Sequence, residues 1–324
     1  MPFVRIRSAG SESRQPACVA RAPPEQSISP SGLTEPFRRC HIAVAMPRIL
    51  PLFALFAGVL SLLALGCFAV PGGAQLRPLD PMGWSTFERP GGTFMLGAGF
   101  YTGQRVSLAG VEGRLAELGV FQVTWAYERV AVRLGGTLFR LFDDQHVFAE
   151  PYGDARPPDG TTRRDAGDIR VSTIVRLTGD DAKVGVAFRF GTRLPTTDNR
   201  EGLGRDQADF FATIGVRFHE GPMAIALEGG AGVNGTRDPR HEQIDPILFA
   251  ASFVYEAGLV SPLLELAGQH DPRSNRDRRG NENIGEVRVG VLIGGDRWIK
   301  IMAARGWTPF SPEFGLTVLL GTRF

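Results

Sequence analysis

Apolar and polar residues alternate one by one over most of the chain beyond residue 91. Val184, Val186, Phe188 and Phe190 are separated by small or polar residues, and residues 169–177 repeat the pattern. Successive side chains of a strand point to opposite faces, so this period of two indicates strands with one apolar and one polar face. The same stretches lack the period of about 3.6 residues that an amphipathic helix shows.

This alternation predicts about twelve strands, an even number as in single-chain bacterial barrels. The expected spans are 92–103, 114–128, 130–141, 168–178, 182–195, 207–219, 222–235, 246–257, 260–270, 284–295, 297–306 and 312–324. Short turns alternate with longer loops, which we expect near 104–113, 142–167, 196–206, 236–245 and 271–283. The predicted fold class is therefore all-β: a transmembrane, up-and-down, antiparallel β-barrel that covers residues 92–324.

Aromatic residues fall near both ends of the predicted strands, as in the two interfacial belts of a membrane barrel. The set near the outer ends is Phe100, Tyr101, Phe121, Phe139, Phe142, Phe210 and Trp307. The set near the inner ends is Trp125, Tyr127, Phe218, Tyr255, Trp298 and Phe324. A soluble β-sandwich is the competing interpretation, but it gives no reason for loop lengths to alternate.

The last predicted strand has an apolar face that ends on an aromatic residue. Phe314, Leu316, Val318 and Leu320 share that face, and Phe324 closes the strand. This pattern is typical of the closing strand of an outer-membrane barrel, although it also suits a half-buried strand of a soluble sheet. We predict that these five residues are an assembly signal that the barrel-assembly machinery recognises.

The region before the barrel divides into three predicted parts. Residues 1–45 are rich in Arg, Ser and Pro without periodicity, which indicates a non-native or disordered extension. Residues 46–74 combine a basic start, a long apolar run and small residues, which predicts a signal peptide that is cleaved after Ala74. Residues 75–91 are then a periplasmic N-terminal segment, and the sequence leaves open whether they plug the barrel. The barrel itself is exported to a bacterial outer membrane.

Two alternatives for the signal peptide stay open. The apolar run is long enough to remain as a membrane anchor. The residues before Cys67 also loosely resemble a lipoprotein cleavage box, so lipidation at Cys67 is the other possibility.

Cysteine content and net charge exclude several classes of function. Cys18, Cys40 and Cys67 all precede the predicted cleavage site, so a mature chain without them has no disulfide, thiol nucleophile or thiolate metal ligand. The formal net charge of +2 is too small to favour a nucleic-acid partner. We expect no cofactor and no metal.

If the apolar faces meet lipid, the opposite faces line the lumen. The predicted lumen-lining residues are mostly charged: Arg133, Arg170, Arg176, Arg189, Arg193, Asp209, Arg217, Glu228, Glu256, Glu265, Glu286, Arg288 and Lys300. They either surround a narrow water-filled conduit or pair with one another in a filled barrel. The sequence leaves both possibilities open.

The predicted loops carry only weak evidence of a binding site. Asp143, Asp144, Glu150 and Asp154 either bind a divalent cation or are simply solvated, and their spacing matches no calcium loop. Loop arginines either pair with lipopolysaccharide phosphates or are solvated; they are Arg163, Arg164, Arg276, Arg278 and Arg279.

Catalysis has little support in the sequence. A membrane-edge hydrolase needs a nucleophile beside a base, and the histidines His146, His219, His241 and His270 have no serine at matching spacing. We predict that the protein is not an enzyme.

One local segment resembles a known family. Residues 190–198 read FGTRLPTTD, and residues 202–209 read GLGRDQAD. This segment is similar to the outer-membrane transporters associated with the meta-pathway of phenol degradation, although Thr197 stands where that family usually has glycine and the loop is short. The resemblance implies passage of small, including aromatic, compounds, and it identifies no substrate residue.

The function we predict is a passive outer-membrane channel for small solutes, with aromatic or anionic compounds as candidates. The first alternative is a structural or interaction barrel whose external loops bind envelope partners, and the second is a membrane-edge lipid hydrolase. The expected surroundings are outer-membrane lipid and lipopolysaccharide.

Overall fold

A computed structural model describes residues 76–83, 91–179, 182–235, 243–273 and 279–324. The strands are β1 (Gly91–Val106), β2 (Val111–Tyr127), β3 (Val130–Val147), β4 (Arg163–Asp165), β5 (Ile169–Arg176), β6 (Val184–Leu194), β7 (Asp209–Glu220), β8 (Met223–Gly235), β9 (Gln243–Ile244), β10 (Ile247–Tyr255), β11 (Val260–His270), β12 (Ile284–Gly294), β13 (Arg297–Gly306) and β14 (Phe314–Arg323). A short 3-10 helix covers Asn199–Glu201. The predicted N-terminal extension and signal peptide, with Ala74 and Cys67, lie outside the described residues.

Twelve strands form a closed antiparallel barrel, which confirms the predicted fold class. Each strand of the ring pairs with its neighbours in the chain, β8 pairs with β10, and β14 pairs with β1 to close the ring. The short strands β4 and β9 extend the sheet locally beside β3 and β8. Within the described ranges, no helix is long and apolar enough to cross a membrane.

The junction between β1 and β14 depends on one close backbone approach. The two strands pair without interruption from Thr93 opposite Arg323 to Thr102 opposite Phe314. A Cβ atom at Gly97 would lie 1.9 Å from the carbonyl oxygen of Val318. Only glycine fits at this point of the closing pair.

The outer surface of the barrel is apolar. Leu96, Phe100, Leu316 and Leu320 all point outward and are exposed, with Leu320 at 59%. An apolar surface that surrounds a whole barrel is unfavourable in water and matches a lipid environment. The strand phase predicted for Phe314–Arg323 is the one observed.

Three aromatic residues assigned to the interfacial belts lie elsewhere. Tyr101 and Phe142 are buried inside the barrel, at 1% and 0% exposure, and Trp298 lines an internal cavity. Tyr101 packs there because its ring lies under the guanidinium of Arg77, with the carbon of that group 4.1 Å from the ring centre. The Tyr101 ring points inward because Tyr101 is on the inner face of β1 and contacts Arg77. Its position near the end of the strand does not decide this.

The loop predicted at 104–113 is a short turn at 107–110. Gln104, Arg105 and Val106 continue the ladder by pairing with residues 111–113, and Gly110 adopts a φ of 70° to make the turn. Val106 and Val111 are fully buried, so packing stabilises the longer hairpin. Loop lengths therefore do not alternate strictly.

The two ends of the barrel differ in their connections. The short-turn end carries the turns 128–129, 221–222 and 295–296, and the loop end is the opposite one. The 3-10 helix and the short strands β4 and β9 all belong to the connections of the loop end.

Candidate functional site in the barrel interior

The interior is occupied in part by residues 76–83, which form the N-terminal segment. Arg77 donates a hydrogen bond of 2.9 Å to the carboxylate of Glu286 on β12. Arg288, also on β12, donates one of 2.7 Å to Asp80. Residues 76–83 of the predicted periplasmic segment therefore occupy the lumen, a possibility that the sequence left open. They lie inside the barrel because their two charged side chains find opposite charges on the wall.

The main chain of the N-terminal segment is bound as well. Three wall arginines donate hydrogen bonds to its carbonyl oxygens: Arg170 to Arg77 (3.2 Å), Arg189 to Asp80 (2.9 Å) and Arg133 to Met82 (2.6 Å). The N–H of Met82 donates to Glu228 at 2.8 Å. Pro78 and Pro81 carry no N–H, so the segment has few donors that need acceptors on this arginine-rich wall.

A cavity of about 670 Å³ remains beside the N-terminal segment. Its lining begins at Gly258 and Gly295, at the short-turn end, and reaches Tyr101 and Arg140 deeper inside. Seven of the predicted lumen residues line this cavity: Arg133, Arg170, Arg189, Glu256, Glu265, Arg288 and Lys300. It is large enough for a small organic molecule.

The other predicted lumen residues lie in two places. Arg176, Arg217 and Glu228 line a separate cavity of about 60 Å³ next to Met82. Arg193, Asp209 and Glu286 are buried closer to the loop end. All of the predicted lumen residues have inward positions, but not all of them face one open space.

A cluster of apolar residues fills the interior at the loop end. This loop-end cluster consists of Leu76, Tyr101, Val106, Leu108, Ala109, Val111, Leu115, Phe142 and Leu203, all buried. It joins the first residue of the N-terminal segment to the β1–β2 turn and to the loop after β6. The interior is therefore packed at the loop end and holds its large cavity towards the short-turn end.

The segment that carries the family resemblance supports this packed end. Arg205 pairs with Asp209 and donates hydrogen bonds to Asn281 and to the carbonyl of Gly235. The hydroxyl of Thr196 donates to the carbonyl of Gly167 at 2.8 Å. In this chain the segment therefore positions loops over the barrel end.

Inward arginines are concentrated on one side of the lumen. Three neighbouring strands, β3, β5 and β6, supply Arg133, Arg140, Arg170, Arg176, Arg189 and Arg193. Several inward carboxylates pair with them: Glu117 with Arg140, Glu228 with Arg189, and Asp209 with Arg193. The lumen therefore combines an excess of arginine on this side with ion pairs that partly compensate it.

An ion pair between β2 and β3 was not predicted from the sequence. Glu117 and Arg140 are almost fully buried, and the Arg140 side chain donates a hydrogen bond of 2.9 Å to Glu117. The alternation of inward and outward side chains on β2 shifts by one residue near Gly119. Gly119 has a φ of 66° and has no partner on β1 in the strand register. A glycine inside a strand is the signal that could have predicted this bulge.

The loop arginines differ in whether they are exposed for contact with lipopolysaccharide phosphates. Arg163 is fully buried and pairs with Asp144 at 2.9 Å, so it does not face lipid phosphates. Arg279 donates a hydrogen bond to the carbonyl of Glu150 at 2.7 Å. Arg164 is exposed, whereas Arg276 and Arg278 lie outside the described residues.

The candidate cation and catalytic residues do not form a recognisable site. Asp143 pairs with Arg114 at 2.7 Å, and Asp144 pairs with Arg163. In the part of the chain that the structure describes, no group of three His, Cys, Asp or Glu side chains could hold a metal ion. His146, His219 and His270 lie on three different strands, and His241 lies outside the described ranges.

The fold and its interior define the class: a closed β-barrel with an apolar outer surface and a charged lumen that holds part of its own chain. No family model and no curated protein matches the sequence. The resemblance to the phenol-degradation transporters thus stays a prediction.

Solved structures resemble the chain in architecture. One is the "CymD monoaromatic hydrocarbon channel" (9% identity; 78% of this chain and 98% of that one; TM-score 0.37). A second is the translocator domain of the autotransporter NalP from Neisseria meningitidis (13%; 74% and 90%; TM-score 0.33). A third is OprD from Pseudomonas aeruginosa (6%; 78% and 99%; TM-score 0.31). Likeness at this level describes the barrel alone.

Proposed function

We propose that the protein is an outer-membrane β-barrel that acts as a passive conduit for small solutes. The observation that carries this proposal is the cavity of about 670 Å³, which is lined by charged residues inside an apolar barrel. A wall that water can wet, surrounded by an apolar outer surface, is the arrangement a membrane pore needs.

The orientation follows from the connections. Outer-membrane barrels have short periplasmic turns and longer extracellular loops, so the cavity faces the periplasm and the loop-end cluster faces outward. A solute that crosses must pass both the loop-end cluster and the N-terminal segment. Conduction through this barrel therefore requires a path to open past each of them.

The lumen favours small polar or charged solutes. The large cavity is lined by several arginines and by carboxylates such as Glu256 and Glu265, so a solute with a dipole or a negative charge finds complementary groups. Aromatic solutes are compatible with apolar cavity residues such as Trp298 and Leu292. The proposal includes no catalytic step.

Conductance in planar lipid bilayers tests the conduit. We expect small, infrequent current steps from the full barrel and larger ones from a variant that lacks residues 76–83, because the deletion removes one of the two obstructions and takes Leu76 out of the other. Arg114→Gln is the matched control, since Arg114 is exposed and pairs with Asp143 away from the lumen. No current from either the full barrel or the deletion variant would overturn the conduit.

The loop-end cluster also supports a second candidate, a structural or interaction barrel. Its buried residues close the barrel on the side that carries the long loops. A barrel that is silent in bilayers with and without residues 76–83, yet is retained in the membrane by an envelope partner, would favour this alternative.

A further inference from the structure

Arg170 lies on β5 in the wall of the large cavity, where Asp80 and Asp168 act on its charge from beyond direct contact. Within the described residues it takes part in no ion pair, and its guanidinium donates a hydrogen bond of 3.2 Å to the carbonyl of Arg77. Two other cations of the same cavity do have a paired carboxylate. Lys300 lies 2.6 Å from Glu265, and Arg288 lies 2.7 Å from Asp80.

The strand neighbour of Arg170 makes its position less favourable. Arg193 on β6 is the direct cross-strand partner of Arg170. Like charges directly opposite each other destabilise a sheet. Arg193 pairs with Asp209 and with Asp168 at 3.5 Å, whereas Arg170 makes no direct ion pair within the described residues. An anion that enters the cavity would relieve this imbalance.

The far side of the same cavity carries an apolar patch. Strand β12 lies diametrically opposite β5 in the closed ring, and strands β11 to β14 contribute Leu263, Leu292, Met302 and Leu319 to the lining, beside the ion pair of Lys300 and Glu265. Leu292 lies two residues from the end of β12 at the short-turn end, whereas Arg170 lies near the opposite end of β5. The cavity thus has Arg170 in its inner part and an apolar patch nearer its mouth.

We infer that the cavity binds a small amphiphilic anion, namely a monocarboxylate with an alkyl or aryl group. The guanidinium of Arg170 binds the carboxylate through charge-assisted hydrogen bonds. The apolar group lies along Leu292 and Leu319, towards the short-turn end. The inference gives the proposed conduit a class of solute, and its role in transport rests on that proposed function. Binding of the anion to the cavity does not itself require conduction.

Calorimetric titration of the full barrel in detergent tests the site, with hexanoate as the probe and 1-hexanol as its neutral counterpart. We expect hexanoate to bind, hexanol to bind at least tenfold more weakly, and butyrate to bind about fifteenfold more weakly because two methylenes are lost. Arg170→Gln should weaken hexanoate binding at least tenfold. Arg170→Lys should retain part of it, because the charge remains.

Two further variants distinguish binding at Arg170 and Leu292 from general effects of changing a lumen residue. Arg217→Gln changes a lumen cation that lines the smaller cavity, so hexanoate binding should be unchanged. Leu292→Asn should reduce the preference for hexanoate over butyrate. Each variant must first show the heat-modifiable gel shift of a folded barrel. Equal binding of hexanol and hexanoate, or full binding by folded Arg170→Gln, would overturn the inference.

The two proposals fail independently. A barrel that binds hexanoate through Arg170 but passes no current retains the site and excludes the conduit. A barrel that conducts salt but binds hexanoate equally well with and without Arg170 retains the conduit and excludes the site.

Discussion

The guanidinium of Arg77 and the carboxylate of Glu286 lie 2.9 Å apart, although 209 residues separate them in the chain. The carboxylate is fully buried and also accepts a hydrogen bond of 3.0 Å from Arg288. This contact makes the N-terminal segment part of the packed interior. It connects the conduit, which needs an open lumen, to the stability of the barrel.

Replacing Arg77 tests that connection. We expect Arg77→Ala to lower the free energy of unfolding by about 1–3 kcal/mol, because one buried charged hydrogen bond is lost while Arg288 still compensates Glu286. It should also increase bilayer conductance. The measurement is urea unfolding followed by the heat-modifiable gel shift. Comparing the double variant Arg77→Ala/Glu286→Gln with the two single variants gives the coupling free energy between the two residues. Strictly additive effects on the free energy of unfolding would show that they do not interact.

Gly97 should be essential for closing the barrel. Gly97→Ala places a Cβ atom 1.9 Å from the carbonyl oxygen of Val318, so β1 and β14 must separate locally. We expect a large loss of assembled barrel, measured as the heat-modifiable fraction in isolated membranes. Gly229→Ala is the matched control, because a Cβ atom there meets nothing within 4 Å. Equal assembly of both variants would contradict the close approach.

Deleting Phe324 should reduce assembly rather than conductance. Its backbone exchanges hydrogen bonds of 2.8 and 2.9 Å with Gly92, and its ring centre lies 5.9 Å from that of Trp125. The terminal residue therefore contributes to the seam as well as to the predicted assembly signal. Tyr127→Ala removes another exposed aromatic residue at the same end and should leave the outer-membrane level nearly normal. Unchanged levels after the deletion would argue against the signal.

The packing of the loop end should depend on pH through Asp165. Burial raises the pKa of Asp165 from its usual value to about 6, although backbone N–H groups of Asp198 and Ala166 partly oppose the rise. The folded loop thus favours the protonated carboxyl. This contribution to stability is present below about pH 4 and is lost as the pH rises through about 6.

Proteolysis of the loop between β3 and β5 measures this effect. Cleavage should become faster between about pH 4 and pH 7 after correction for the protease's own pH profile. Asp165→Asn, which cannot ionise, should remove most of this dependence. A wild-type rate that does not change with pH would contradict the role of Asp165.

Strand positions could be predicted because alternation is a local property. Val184, Val186, Phe188 and Phe190 face one side whatever the rest of the chain does, so β6 and its neighbours were placed within a few residues. The outward face of the last strand was predicted for the same reason. Loop lengths were harder to predict, since burial of Val106 and Val111 lengthens the first hairpin.

The interior could be predicted only in part. Inward positions such as Arg170 and Glu265 follow from strand phase alone. The pair formed by Glu117 and Arg140 does not, because a bulge at Gly119 shifts the phase. The position of Arg77 could not be predicted either, since a charged residue in a short extended segment carries no signal for a partner 209 residues away.

The sequence by itself determined a barrel with an apolar outer face, an inner face rich in arginine and a closing strand that ends on Phe324. These properties depend on side-chain alternation, which each strand carries within itself. Only the tertiary structure decided that residues 76–83 fill part of the lumen, that the loop end is packed, and that Arg170 lines the large cavity without a carboxylate in direct contact. Those features depend on which residues meet across the closed ring, because burial and charge pairing act between strands that are far apart in the chain.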